Sequence, residues 1–119
     1  MERLLVVEHN RLFREGLALL LEWRTGLSSV QAGSLAEAMG VLEEANHKKP
    51  ACIIVDLDLP DGEGTEVLKE LDGLPVLALI GSRNLQRQAE VMALGADEVL
   101  LTRGSAAKMA AAVERLIGR

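Results

Sequence analysis

The chain has 119 residues, 49% of them hydrophobic, with one Phe, one Trp and no Tyr, so any core must be built from aliphatic side chains. That length suits one domain able to bury roughly two thirds of its unfolded surface, and aliphatic layers favour an α/β architecture. A formal net charge of −5 excludes the basic footprint of direct nucleic-acid binding, the single Cys52 excludes an internal disulfide, and no apolar run approaches the ~18–20 residues of a membrane span.

Glu2, Arg3 and Glu8 interrupt a signal-peptide reading of the start. The expected location is the cytoplasm, with no membrane contact and with Cys52 a small buried hydrophobe. In chain order, LLVV at 4–7 predicts a first strand. Asn10 then caps a helix whose apolar face is Phe13, Leu17, Leu20 and Leu21 and which stops at Gly26. A weaker strand, SSVQAG at 28–33, leads to a capping box of Ser34 with Glu37 and a helix carrying Leu35, Ala38, Met39 and Leu42. His47, within NHKKP, reads as a solvated helix-end residue.

Pro50 precedes the third strand, CIIV at 52–55, and a helix with Val67, Leu68 and Leu71 follows and ends near Gly73. Pro75 precedes VLALI at 76–80, followed by a helix with Leu85, Ala89, Met92 and Ala93 that stops at Gly95. EVLL at 98–101 is the fifth strand, and Ala106, Met109, Ala110, Val113 and Ile117 mark the last helix. No repeat or linker divides the chain, so 1–119 reads as a single domain.

Strands that are nearly continuous Val, Ile and Leu are buried on both faces, and alternating strand and helix with right-handed crossovers make a five-stranded parallel sheet covered on both sides. The predicted fold is therefore α/β, a flavodoxin-like doubly wound (βα)5 with strand order 2-1-3-4-5. Its crevice lies beyond the carboxyl ends of the strands, which directs attention to Glu8, His9, Asp56, residues 80–82, Thr102 and Arg103.

Asp56 ends the third strand, where a carboxylate beside apolar residues needs solvent, donors or a cation. Glu8 ends the neighbouring first strand, so the two carboxylates either face each other as a hard oxygen site for Mg2+ or stand separately in water. Asp58 and Asp61 read as shaping the turn Leu59-Pro60-Asp61-Gly62. Arg83, Arg87 and Arg103 are either surface charges or positive groups near the crevice.

These residues carry a resemblance. LLVVEHNRLFREGLALLLE at 4–22, PACIIVDLDLPDGEGTEVLKEL at 50–71, LPVLALIG at 74–81 and GADEVLLTRGS at 95–105 together resemble, over the whole length, the receiver domain of a two-component response regulator. RLFREGL resembles the NarL/LuxR-type subfamily, which usually carries a helix-turn-helix output domain not contained in these residues. The resemblance implies a bacterial phosphorelay protein acting in transcription regulation, with no enzymatic turnover expected. Asp56 would be the aspartate phosphorylated by a sensor histidine kinase, with Pro60 and Gly64 at the expected offsets. Glu8 matches the first member of the acidic pair, and Asp58 the position whose backbone carbonyl ligates the metal.

Four positions depart from the family pattern. His9 stands where the second acid, a direct Mg2+ ligand, is expected; Ile80 replaces the phosphoryl-binding Thr or Ser; Thr102 replaces the Lys that pairs with it; Val99 replaces a Tyr or Phe that swings inward on activation. Mg2+ binding is expected to be weak. For His9 three readings stay open: a transition-metal ligand, a cation paired with Asp56, and a plain loop residue. The depleted switch leaves an alternative, a phosphorylation-independent receiver-like module for protein contact or dimerisation. The expected partner surface is the face of the fourth helix, fifth parallel strand and fifth helix, where an Ala-rich last helix permits close approach. A remoter alternative takes Asp56 and Asp58 as the nucleophile and general acid of a haloacid-dehalogenase-like phosphatase, against which Pro60 and the short chain weigh.

Overall fold

The computed structural model describes residues 2–44, 49–71 and 73–118; His47 lies outside them. The elements run β1 (Arg3–Val7), α1 (Arg11–Thr25), β2 (Ser28–Ala32), α2 (Leu35–Glu44), β3 (Cys52–Asp56), β4 (Asp58–Leu59), β5 (Gly62–Glu63), α3 (Thr65–Lys69), β6 (Val76–Ile80), α4 (Leu85–Ala93), β7 (Glu98–Leu101) and α5 (Ala106–Leu116). Five parallel strands form one sheet in the order β2-β1-β3-β6-β7. This is the expected 2-1-3-4-5 order, once the antiparallel β4–β5 hairpin that follows Asp56 is set aside.

Alternation along the central strands divides the core in two, because successive side chains leave a strand on opposite faces. Leu4, Val6, Cys52, Ile54, Leu77 and Leu79 face α1 and α5, meeting Leu17, Leu21, Met109 and Val113. Leu5, Val7, Ile53, Val55, Val76 and Ala78 face the other way, onto Ala38, Val67, Leu68 and Val91. Cys52 is fully buried and its thiol pKa is pushed up to about 12 by burial, with Asp97 adding to it, so it behaves as a hydrophobe. Ala110 and Ala112 of α5 are buried in the core against the sheet.

Caps follow local chemistry at α1, where Asn10 Oδ1 accepts from Phe13 N–H at 3.0 Å and Gly26 adopts a left-handed φ of 75°. At α2 the Ser34 hydroxyl accepts from Glu37 N–H at 3.1 Å, while the Glu37 carboxylate accepts from Gly33 N–H at 3.0 Å. A further cap comes from far along the chain: Asp61 accepts from Leu35 N–H at 2.7 Å and Ala36 N–H at 3.0 Å. The hairpin turn therefore tethers α2, and these bonds hold the Asp61 carboxyl below its ordinary pKa.

One helix is oriented differently from its sequence pattern. The spacing of Leu85, Ala89, Met92 and Ala93 predicts an inward face, yet Leu85 is 80% and Met92 47% exposed, and Val91 is the buried residue of α4. The physical reason lies beyond the helix. Ala96 N–H bonds the Val91 carbonyl at 3.2 Å, and Val91 and Ala96 together fill the core at that edge.

Gly64 begins α3 where the chain crosses back under Asp56; a Cβ there would lie 2.5 Å from the Asp56 carbonyl oxygen and 2.7 Å from Leu57 Cα. Both are backbone atoms and cannot swing away. Gly64→Ala is therefore expected to cost about 1–3 kcal/mol, the range for overpacking a closed site, read as a lower urea midpoint with an unchanged slope.

Candidate functional site

Parallel pairing of Val7 with Val55 places the next residues of both strands, Glu8 and Asp56, side by side at the carboxyl edge of the sheet. Both are buried, 4% and 6% exposed, and their carboxyl groups come within hydrogen-bonding reach of each other. One oxygen of each is satisfied locally. Glu8 Oε1 accepts from Asn10 N–H at 3.2 Å, and Asp56 Oδ1 from Asp58 N–H at 2.9 Å. Arg14 braces the turn by donating to the Glu8 carbonyl at 2.9 Å and to Gln31 Oε1 at 3.0 Å.

Glu8 Oε2 is buried without a hydrogen-bond donor. Burial, and then the adjacent Asp56 carboxyl, push the Glu8 pKa from 4.5 up to about 8, against the lowering effects of Asn10 N–H and Arg14. Two carboxyls in this position need a shared proton or a cation between them. A divalent cation fits that demand chemically, since an unpaired buried carboxylate oxygen is a hard donor. The donor set is sparse, however: among the described residues no group of three or more His, Cys, Asp or Glu side chains is arranged to hold a metal.

His9 is exposed, and among the described residues no hydrogen bond or ion pair joins it to Asp56. The switch positions lie on the other flank. Ile80 is 3% exposed and sits on the α2–α4 side of the core, with Val99 half-buried beside it. Thr102 N–H donates to the Ile80 carbonyl at 2.8 Å, which brings these two positions together across β6 and β7, but Thr102 Oγ1 is itself buried without a partner. No cation among the described residues pairs with Asp56.

Two clefts flank the pair. One of about 170 Å³ runs between Asp58, Ile80, Gly81, Ser82, Asn84 and Arg87. There Arg87 pairs with Glu63 at 2.7 Å, and its guanidinium is also drawn by Asp58. The other, about 440 Å³, is lined by Glu8, Asn10, Phe13, Thr102, Arg103 and Gly104. Arg83 is exposed and is not among the lining residues of either. Sequence spacing alone left Arg87 undistinguished from its neighbours, because its anchor, Glu63, sits in a hairpin 24 residues away.

A parallel five-stranded α/β fold with a buried acidic pair at the strand tips defines a signalling-receiver architecture. The chain belongs to the response regulator receiver domain family, whose model matches residues 4–114. Over 103 residues it is 34% identical to the KDP operon transcriptional regulatory protein KdpE of Escherichia coli, covering 84% of this chain and 44% of that protein. It superposes on a response regulator receiver domain protein from Clostridium thermocellum with a TM-score of 0.85 at 24% identity, covering 100% of this chain and 96% of that one. A response regulator from Burkholderia pseudomallei, described with a phosphorylated aspartic acid, calcium ion and citrate, matches with a TM-score of 0.80 at 25% identity, over 99% of this chain and 69% of that one. The chain spans about half the length of the curated relatives it matches. This is a receiver domain of two-component response regulators, a family that binds Mg2+ at its phosphorylation site. Among the described residues no helix is long and apolar enough to cross a membrane.

The acidic pair makes stability depend on pH. Glu8 holds its proton more tightly folded than unfolded, so its contribution is fully present below pH 4.5 and is lost as pH rises through about 8. In chelator, unfolding free energy is expected to fall by a few kcal/mol across that interval; Glu8→Gln is expected to flatten the profile, checked by urea titrations at several pH values.

Proposed function

We propose that this receiver carries a weakened phosphorylation switch. Asp56 is the phosphoacceptor, a sensor histidine kinase the donor, and transcription regulation through a separate output domain the destination. The carrying observation is the asymmetry around Asp56: a buried acidic neighbour, Glu8, on one side, and on the other a buried Ile80 and a Thr102 without a cation. Mg2+ would be held by the carboxylates of Glu8 and Asp56 and the Asp58 backbone carbonyl, with affinity lowered because His9 stands where a second acid would add negative charge. When bound, the ion neutralises charge at the site. The protein groups hold the acceptor oxygens in place, through Asp58 N–H on Asp56 and Asn10 N–H on Glu8.

A phosphoryl group adds roughly −1.5 to −2 charge and three acceptor oxygens, and moves a conformational equilibrium only through donors that meet them. A charge-assisted bond contributes about 1.5–3 kcal/mol. Without the hydroxyl at 80 and the ammonium at 102, the usual coupling of ~1–3 kcal/mol has little to act through. The same observation favours a second reading, a receiver acting through protein contacts independent of phosphate. Either way, the partner surface proposed is the outward face of α4 with β7 and α5, supported by Leu85, Met92 and Leu94, each exposed by 45% or more.

Acetyl phosphate with Mg2+ tests the reading. Asp56 is expected to become phosphorylated, its carboxylate oxygen taking the phosphoryl group as acetate leaves, a mass change absent from Asp56→Asn, with amide shifts confined to the site; the double variant Ile80→Thr, Thr102→Lys is expected to spread them into α4 and β7. Wild-type shifts extending across α4, β7 and α5 would refute the weakened switch.

A second prediction concerns the metal. Titrating Mg2+ at pH 8 is expected to raise the urea midpoint of the wild type. Glu8→Gln should abolish most of that gain, and equal gains in both proteins would remove Glu8 from the ligand set.

A further inference from the structure

Helix α1 is apolar on two opposite sides. Leu17, Ala18, Leu21 and Thr25 are buried against the sheet. Leu12, Leu19 and Trp23 are 83%, 68% and 81% exposed. Steps of seven and four residues place these three within about 40° of one another at ~100° per residue, directly opposite the buried set. On a surface helix that outer face is ordinarily polar, and nothing in the fold or the Asp56 site makes use of it.

We infer that the outer stripe of α1 is a twofold self-association surface, occupied by α1 of a second copy of this chain running antiparallel. The stripe is self-complementary. Its midpoint falls between Gly16 and Leu19, so a twofold axis there sets Leu19 over Gly16 of the partner subunit and Leu12 against Trp23 of the partner subunit. Gly16 is the only gap in the row, and nothing lies within 4 Å of where its Cβ would be. An isologous contact needs this pairing of a projection with a hollow at equal distances from the axis.

Charge and area agree with a second copy. The charged groups beside the stripe are already engaged within the chain: Arg11 with Glu15 at 2.9 Å, Arg24 with Glu114, Glu22 with Ser29, and Arg14 with Gln31. Antiparallel packing sets one compensated ion pair beside another, so the net charge of −5 is not concentrated at the contact. The three side chains offer roughly 350 Å² of apolar surface. Doubled by symmetry and extended by the polar rim, this approaches the ~1,000 Å² of a small specific interface, with a Trp near each end as an anchor. The inference does not rest on the phosphorylation reading, and it separates self-association from partner contact at α4.

Trp23 is the sole tryptophan, so its emission reports on this surface alone. The test is sedimentation velocity with fluorescence on the unphosphorylated chain from ~1 µM to ~1 mM, the range that brackets weak association. Dimer should appear with rising concentration, with the emission maximum moving to shorter wavelength in step. Leu19→Glu, an exposed substitution whose folding is checked by circular dichroism, should remain monomeric with unshifted emission throughout, and Gly16→Leu should weaken the dimer at least tenfold; Leu85→Glu should leave it intact. A wild type that is monomeric at every concentration, or a dimer that survives Leu19→Glu, or one lost in Leu85→Glu alone, would overturn the proposal.

Discussion

Two carboxyl groups share a place from which water has been largely removed, and the rest of the site is arranged around that constraint. Glu8 and Asp56 arrive there because β1 and β3 are paired in register up to Val7 and Val55, and they are the next residue on each chain. Like charges at this distance in a poorly hydrated pocket cannot both be ionised without a compensating cation. Glu8 answers by keeping its proton until about pH 8. The site is thus poised for a positive charge, from a proton or from a metal.

The surrounding structure holds the pair rather than relaxing it. The hairpin after Asp56 turns the chain back so closely that only glycine fits at 64, and the same turn extends Asp61 to the first two amides of α2. Arg14 ties the end of β1 to β2. On the proposed reading, a receiver that keeps this scaffolding while placing Ile80 and Thr102 on the responding flank would retain the means of capture and lack the usual means of reporting it. Its two outward apolar faces, on α4 and α1, are the surfaces proposed for contact with a partner and with a second copy of the chain.

The resemblance to receivers was legible because the motifs sit at the strand ends, where backbone geometry leaves little choice. The acidic pair was legible too, since the run lengths of LLVV and CIIV both stop one residue before a carboxylate. The outward turn of α4 was not. Leu85, Ala89 and Met92 have the period of a core face, and only the packing of Val91 with Ala96 shows which side is inside. The solvent position of His9 was equally hidden, because a residue just past a strand end can point either way and its neighbours decide.

By itself the sequence determined the alternation of strands and helices, the parallel sheet and the pair of acids at its edge, since each depends on periodicity and chain punctuation that are local. The tertiary structure alone decided the protonation of Glu8, the cap that Asp61 supplies to α2, the ion pair that holds Arg87, and which apolar stripe of α1 remains in water. Those depend on groups brought together from distant parts of the chain, and on how much solvent their meeting leaves behind.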